Sequence, residues 1–362
     1  MEIIVWIILI FNLLQLLVAF TNLLFQPNYS SESLQSDLIS VLIPARNEEN
    51  NIGNLLSDLQ QQSYSNIEVL VFNDQSADQT QTIVTDFVKN DQRFQIINSD
   101  SLPNGWLGKN YACYVLGNRA TGSYYLFLDA DVRIGKNLIL QTVNYLKKHQ
   151  LSLLSIFPKQ QMKTFGEFIT VPNMNYILLT MLPLILVEKT NIPSLSAANG
   201  QLMLFNSKIY KEIQPHEKLK LSKVEDIETA RLFKRNGLKV ACHTGNKEIS
   251  CRMYNSYNEA VNGFSKNVIM FFGNSTLLAI LFWLITTLGF IVILIEKSMV
   301  FNFGFVFVLS LTRMLVAIKS RQNVFFNILL FPLQQITLAI FIYKSAVHHH
   351  QKNYEWKGRK IT

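Results

Sequence analysis

The chain has 362 residues, 49% of them hydrophobic, and a mean hydropathy of +0.18. That is too apolar for an ordinary soluble protein, and the excess lies at the two ends. The net charge of +8 suits a protein lying against an anionic leaflet; no basic stripe with interleaved aromatics runs through the middle, so nucleic acid is not an expected partner.

Residues 3–25 are apolar apart from Asn12, Gln15, Thr21 and Asn22. That is about the 20 residues needed to cross the hydrocarbon core. With neither a basic leader nor a small-residue cleavage site, residues 1–25 read as an uncleaved transmembrane anchor. Residues 26–37, polar and carrying Pro27 and three serines, read as a linker. The three cysteines, Cys113, Cys242 and Cys251, include no CxxC pair and read as small core residues of a reducing compartment.

From residue 38 to about 154, strands and helices alternate. Ile39-Ser40-Val41-Leu42-Ile43 is a strand closed by Pro44, and the following helix carries Ile52, Leu55, Leu56 and Leu59 on one face. A second strand runs from Ile67 to Phe72 and ends in Asn73-Asp74-Gln75-Ser76. A short third strand lies near Phe94, and a helix starts at Lys109. The fourth strand, Tyr124-Tyr125-Leu126-Phe127-Leu128, ends in Asp129-Ala130-Asp131. This alternation predicts an α/β fold with a parallel, doubly wound sheet, which binds ligands outside the carboxyl ends of its strands. Pro44, Asp74 and Asp129 all fall at such ends. Two carboxylates one residue apart repel each other unless a cation sits nearby, and hard oxygen ligands with open water positions suit Mg²⁺ or Mn²⁺. The alternative is a solvated acidic turn.

Farther on, residues 177–187 are apolar but broken by Pro183, too short to span and readable as an interfacial or re-entrant segment. Asn199-Gly200-Gln201-Leu202-Met203-Leu204-Phe205 is a strand entered through glycine, and Val224-Glu225-Asp226-Ile227-Glu228 opens a helix. Residues 277–295, 299–318 and 324–343 read as three further spans, with Arg313 snorkelling to the interface and Pro332 as a kink. His348-His349-His350 reads as interfacial, ahead of a basic tail (346–362).

Ile43-Pro44-Ala45-Arg46-Asn47-Glu48-Glu49, Asn73-Asp74-Gln75-Ser76 and Asp129-Ala130-Asp131, in that order and spacing, resemble the inverting family 2 glycosyltransferases of GT-A fold. The resemblance covers residues 38–264, expected to form a cytoplasmic catalytic domain with a mixed sheet, followed by membrane helices at 275–345. It implies a donor that is a nucleotide-diphosphate sugar, uridine being the commoner base. Pro44, Ala45, Glu48 and Asp74 would hold the nucleoside, Asp129 and Asp131 the metal and sugar-nucleotide, and Asp226, in the Glu-Asp pair, would be the catalytic base. The chain departs from the family in having Asn73-Asp74 where many members have two adjacent acids. In the loop Gly105-Trp106-Leu107-Gly108-Lys109-Asn110, Lys109 can meet a phosphate at a helix start or be a solvated lysine, and Trp106 is alternatively an interface aromatic. Arg252 lies where related enzymes close an Arg-Trp motif on the diphosphate; the missing tryptophan argues against a processive synthase, and a surface arginine is the other reading.

The tail Glu355-Trp356-Lys357-Gly358-Arg359 resembles that of carotenoid glycosyltransferases of pigmented bacteria, which implies a carotenoid or other lipid acceptor. A polyprenyl-phosphate glycosyltransferase and a membrane-anchored nucleotidyltransferase are the alternatives. One strain remains in the expected multi-pass, cell-membrane topology. With four spans and a cytoplasmic catalytic domain, the tail's Lys352, Lys357, Arg359 and Lys360 fall outside, against the positive-inside bias.

Overall fold

The computed structural model describes residues 2–30, 37–296, 298–351, 354–356 and 359–361. The chain forms two compact units. A sheet unit comprises residues 27–159 and 184–251; a helical unit comprises residues 1–26, 160–183 and 252 onward.

The sheet unit is built on seven strands: β1 (Ile39–Ala45), β2 (Ile67–Asn73), β3 (Phe94–Asn98), β4 (Tyr124–Leu128), β5 (Leu153–Phe157), β6 (Leu202–Asn206) and β7 (Val240–Thr244). Their order across the sheet is β3-β2-β1-β4-β6-β5-β7. All run parallel except β6, antiparallel to both of its neighbours. Ile39, Val41, Leu42 and Ile43 are wholly buried. Covered on both faces, β1 therefore reads as a continuous apolar run with no alternation. The register pairs Ala45 with Asn73 and Leu42 with Phe127, so β1, β2 and β4 end at one edge. Because β6 runs the other way, Leu202 pairs with Leu128 and the Gly200-Gln201 entry to β6 comes to that same edge. Asn47 and Gln75 turn the chain there with φ of 52° and 51°. Asn47 binds its loop to the next: its N–H donates to Ser76 Oγ at 3.0 Å, and its Oδ1 accepts from the Ala77 N–H at 2.9 Å. The three cysteines are free and buried.

Among the described residues, three helices of the helical unit are long and apolar enough to cross a membrane: Glu2–Leu24, Thr276–Ile295 and Met299–Lys319. Val5 and Ile8 of the first pack against Ile293 and Phe305. The polar residues that interrupt the first helix prove to be its packing face. Asn12, Gln15 and Asn22 are buried while Ile3, Leu14 and Leu17 are more than half exposed. Asn22 Nδ2 donates to the carbonyls of Leu179 and Leu182 at 3.0 and 2.9 Å, and Gln15 Nε2 to Thr180 Oγ1 at 3.1 Å. In an apolar medium small amides find protein partners and aliphatic side chains face outward.

Residues 324–343 differ from their reading as one span. They divide into the helices Val324–Leu329 and Phe331–Gln351, and neither is among the three membrane-length helices. Pro332 starts a helix where its missing N–H costs nothing, instead of kinking one. Buried Gln334, Gln335 and Thr337 reduce the apolar character of the helix it starts. Arg313 differs too: it does not snorkel but lies 3% exposed inside the unit, where aromatic and amide groups receive it. Residues 177–187 are likewise two pieces, the helices Pro172–Met181 and Leu184–Lys189, divided between the two units. The backbone of His348, His349 and His350 continues the last helix, and their side chains lie outside the described residues. In the tail, Tyr354–Trp356 pairs antiparallel with Arg359–Ile361; Lys357 and Gly358 lie outside the described residues.

Candidate active site

The carboxyl edge of the sheet collects the acidic residues. At the end of β1, Pro44 is half-buried and Ala45 buried. After β2, Asp74 is 2% exposed; its N–H donates to the Ala45 carbonyl at 2.8 Å, and Arg46 donates to the Asp74 carbonyl at 2.6 Å. The Arg46 guanidinium also lies 4.0 Å from the Asp74 carboxylate. Glu48 accepts from Asn51 Nδ2 at 3.0 Å, one turn before the next helix starts.

After β4, Asp129 and Asp131 have different surroundings. Asp129 is bound by Lys109, whose Nζ lies 2.7 Å from Oδ1 and 3.0 Å from Oδ2. The same ammonium lies 3.5 Å from Glu225 Oε1. Lys109, read from sequence as either a phosphate contact or a solvated lysine, is thus gripped by two carboxylates; burial would lower its pKa, but Asp129 and Glu225 outweigh this and hold it well above the usual lysine value. Its helix, Gly108–Arg119, is fixed by Asn110, whose amide donates to the carbonyls of Leu219 and Ser222 at 2.9 Å each. Those carbonyls lie in the loop that leads to Glu225. Trp106 packs on Tyr111 and Tyr114, ring centroids 5.5 and 5.0 Å away.

Asp131 has one carboxylate oxygen, Oδ1, buried without a hydrogen-bond partner. Burial first, then the charges of Asp129 and Glu48, push its pKa up to about 7. A carboxylate that resists its own charge, with an orphaned oxygen and a second carboxylate two residues away, fits a hard divalent cation. Among the described residues no three His, Cys, Asp or Glu side chains cluster as a ready-made metal cage, so water and a ligand's own oxygens would complete the shell, as Mg²⁺ commonly requires.

Glu225 and Asp226 open the helix Glu225–Arg235. Asp226 Oδ2 accepts from the Gly200 N–H at 3.1 Å and Oδ1 from the Ile227 N–H at 2.8 Å. Burial raises the Asp226 pKa, and burial followed by the Asp226 charge brings Glu225 to about 7 against the opposing pull of Lys109. A Cβ on Gly200 would lie 2.8 Å from Lys109 Nζ and 3.4 Å from Glu225 Oε1, so the lysine tip would have to shift to admit it. The sequence pointed to Asp226 but not to Gly200, nor to Glu225 as Lys109's second partner. The glycine ahead of β6 was the available signal. Cys251, read as core, proves to flank Asp131 and accepts from Gln201 Nε2 at 2.8 Å.

Arg252 belongs to the helical unit. Its Nη2 donates to Glu167 Oε1 at 2.7 Å and its Nε to Oε2 at 3.4 Å, so its fork is engaged by a fully buried glutamate rather than lying on a helix surface.

A sheet of this order, with acids gathered where its parallel strands end, is the GT-A fold of nucleotide-sugar transferases. A mannosyltransferase from Pyrobaculum calidifontis, solved in complex with GDP-Man and Mn²⁺, shares it at a TM-score of 0.59 and 14% identity, over 96% of this chain and 98% of that one. Residues 40–214 match the family model described as Glycosyl transferase family 2. Among curated relatives, the 4,4'-diaponeurosporenoate glycosyltransferase of Staphylococcus haemolyticus is 27% identical over 93% of this chain and 92% of its own length. That of Staphylococcus aureus (strain USA300) is 27% identical over 90% and 88%.

Proposed function

We propose that the protein transfers a hexosyl group, with inversion, from a nucleotide-diphosphate sugar to a lipid-soluble acceptor, and that the acceptor is a carotenoid. The observation that carries the catalytic part is the Lys109 bridge. One ammonium joins Asp129, at the end of β4, to Glu225, beside Asp226, although the two acidic motifs lie almost a hundred residues apart in the chain. The carotenoid acceptor is supported by the names of relatives that match this chain over nearly its whole length.

In this reading Pro44, Ala45, Glu48 and Asp74 receive the nucleoside, with Asp74 accepting hydrogen bonds from base or ribose, a uridine in the commoner case. Asp131, with Asp129, would hold Mg²⁺ or Mn²⁺, which supplies positive charge to the departing diphosphate. Asp226 takes the proton of a hydroxyl acceptor as that oxygen bonds to the anomeric carbon; the bond to the diphosphate breaks on the opposite side, its electron pair leaving with the phosphate oxygen. Lys109 keeps Asp129 and Glu225 from repelling each other, and a diphosphate competing for it would loosen both. Arg252 could clamp the diphosphate only by giving up Glu167.

The three membrane-length helices support a topology free of the strain in the four-span reading. With the first helix running inward and the other two forming a return pair, catalytic domain and tail both lie in the cytoplasm. That side suits Lys352, Lys357, Arg359 and Lys360. An acceptor dissolved in lipid would come laterally from the cytoplasmic leaflet, past residues 177–187.

The test is product analysis with the purified protein in a bilayer. Nucleoside diphosphate and a glycosylated lipid are expected; pyrophosphate would indicate a nucleotidyltransferase, and transfer to a polyprenyl phosphate the alternative acceptor. Leu182→Lys or Leu186→Asp should raise KM for the lipid and leave donor hydrolysis to water intact. Efficient transfer to a soluble acceptor without bilayer or detergent would overturn the lipid reading.

A further inference from the structure

Four arginines of this chain show how the guanidinium fork is used. Arg93 presents Nε and Nη2 to Asp91, Arg133 presents the same edge to Asp58, and Arg252 presents it to Glu167, with Nη2–O distances of 2.7 Å in each case. Arg313 is the fourth. Its Nη1 donates to Gln334 Oε1 at 2.9 Å and the Tyr176 hydroxyl lies close enough to interact with the guanidinium, while Nε and Nη2 are both buried without a geometric hydrogen bond among the described residues.

The cation is built in, not stranded. Its guanidinium carbon lies 3.6 Å from the centroid of the Tyr176 ring and 4.6 Å from that of Phe331. Stacking on rings satisfies the faces of the plane and leaves its edge free. The supports are themselves locked: Tyr176 donates to Gln15 Oε1 at 3.2 Å, and Gln334 Nε2 donates to the Phe168 carbonyl at 3.0 Å. No described carboxylate forms an ion pair with Arg313 in this unit, where Glu167 is taken by Arg252.

A buried charge with two parallel donors open is costly unless something neutralises it, and an ionisable group within a membrane helix is by default a functional-site candidate. Depth agrees with a headgroup. Lys319, at the end of the same helix, donates to the Phe25 carbonyl, where the first helix ends and the chain leads into the sheet unit. Arg313 lies six residues, about 9 Å, inward from it. We propose that the Nε–Nη2 edge of Arg313 is a binding site for the oxyanion, carboxylate or phosphate, at the end of a long apolar molecule. The source is either the acceptor, if it carries an acid other than the group that is glycosylated, or an anionic bilayer lipid. The first of these rests on the lipid-acceptor reading above; the site itself does not.

The test measures binding rather than turnover, so that a failure of the glycosyltransfer reading stays separate from a failure of this one. The full-length protein in detergent is titrated with retinoate, a polyene carboxylate, and with methyl retinoate. In parallel, native mass spectrometry follows phosphatidylglycerol retained from mixed phosphatidylglycerol–phosphatidylcholine nanodiscs. At least tenfold tighter binding of the acid than the ester, lost in Arg313→Met and reduced in Arg313→Lys, which keeps charge without the fork, supports an acid acceptor. Phosphatidylglycerol retention with the same dependence supports the bilayer source. Equal affinity of the wild-type protein for acid and ester together with no retained phosphatidylglycerol overturns the proposal even if the methionine variant fails to fold. Discrimination that Arg313→Lys leaves untouched overturns it as well.

Discussion

In the sheet unit Lys109 has two carboxylates, Glu188 has two histidines and a tyrosine, and Asp74 has Arg46 nearby. Within the helices of the helical unit, buried polarity is carried largely by amides such as Asn12, Gln15, Asn22, Asn173 and Gln334, bonded to carbonyls, hydroxyls and one another's helices; among the described residues there, buried Glu167 is met by Arg252, and Arg313 is a buried cation without a carboxylate. The difference follows from solvent. Where water reaches the rim, ion pairs can form and later be displaced by a charged substrate; in a lipid-facing bundle each charge has to be met by a group of the protein or by a ligand. On the proposed reading, the sheet unit stores its chemistry in pairs that a diphosphate would open. Asp131, with its orphaned oxygen, is the exception at that edge, and breaking it should have the largest consequence.

Asp131→Ala is expected to abolish metal-dependent nucleotide-sugar binding and to lower turnover by several orders of magnitude, since a metal contributes several kcal/mol of charge stabilisation. Asp129→Ala should be milder, because Lys109 retains Glu225. Titrating metal and donor separately by calorimetry checks both, and full activity in chelator would refute the metal role. Asp226→Asn comes next. It is close to isosteric, so donor binding should survive while transfer to a hydroxyl acceptor falls roughly 10²–10⁴-fold. A carboxylate acceptor has no proton to give, so the same variant should lose less with a carotenoid acid than with a carotenoid alcohol. Loss of donor binding instead would move Asp226 to the metal site.

Gly200→Ala should be smaller still. The added methyl would press on Lys109 Nζ at 2.8 Å, and the lysine tip can yield only by loosening Asp129. A loss of about tenfold in kcat, or about 1.4 kcal/mol, with unchanged thermal stability is the expected result. A fall in stability with kcat intact would make the glycine a packing residue only.

Strand ends were the legible part of the sequence. A buried parallel sheet writes its strands as apolar runs, and an acid directly after such a run has one place to go, so Asp74, Asp129 and Asp131 could be placed at one edge before any coordinates. Pairings across the chain were not legible. Nothing local in Gly108-Lys109-Asn110 says that a carboxylate 116 residues onward will share its ammonium, because that depends on how β6 returns antiparallel beside β4. The membrane helices inverted the usual reading. Asn12, Gln15 and Asn22 looked like flaws in an apolar run and turned out to be its inward face, while Pro332 and the two glutamines after it ended the resemblance of residues 324–343 to a span.

The last expected effect concerns stability instead of turnover and sharpens the contrast in the sheet unit's favour. Glu188 is 5% exposed at its side chain. It accepts from Tyr145 at 2.8 Å, lies 3.1 Å from His149 Nδ1 and 3.5 Å from His243 Nε2, and has Lys189 Nζ at 3.7 Å. Burial pushes its pKa up, but the hydrogen bonds of His243 and Tyr145 and the nearby histidine charges outweigh that and bring it to about 2. A carboxyl depressed in the folded state stabilises above its unfolded value near 4.5, and that contribution is lost as pH falls through about 2. The folded state gives up its proton first, so between those limits the unfolded chain binds more protons and stability rises with pH. At 1.36 kcal/mol per unit the contribution is of order 3 kcal/mol. Glu188→Gln should therefore be less stable than the wild-type protein at pH 6 by an amount of that order, with the gap closing toward pH 2. Thermal unfolding of both proteins in detergent across that range measures it, and a gap that stays constant with pH would show that shape, not charge, is what Glu188 contributes.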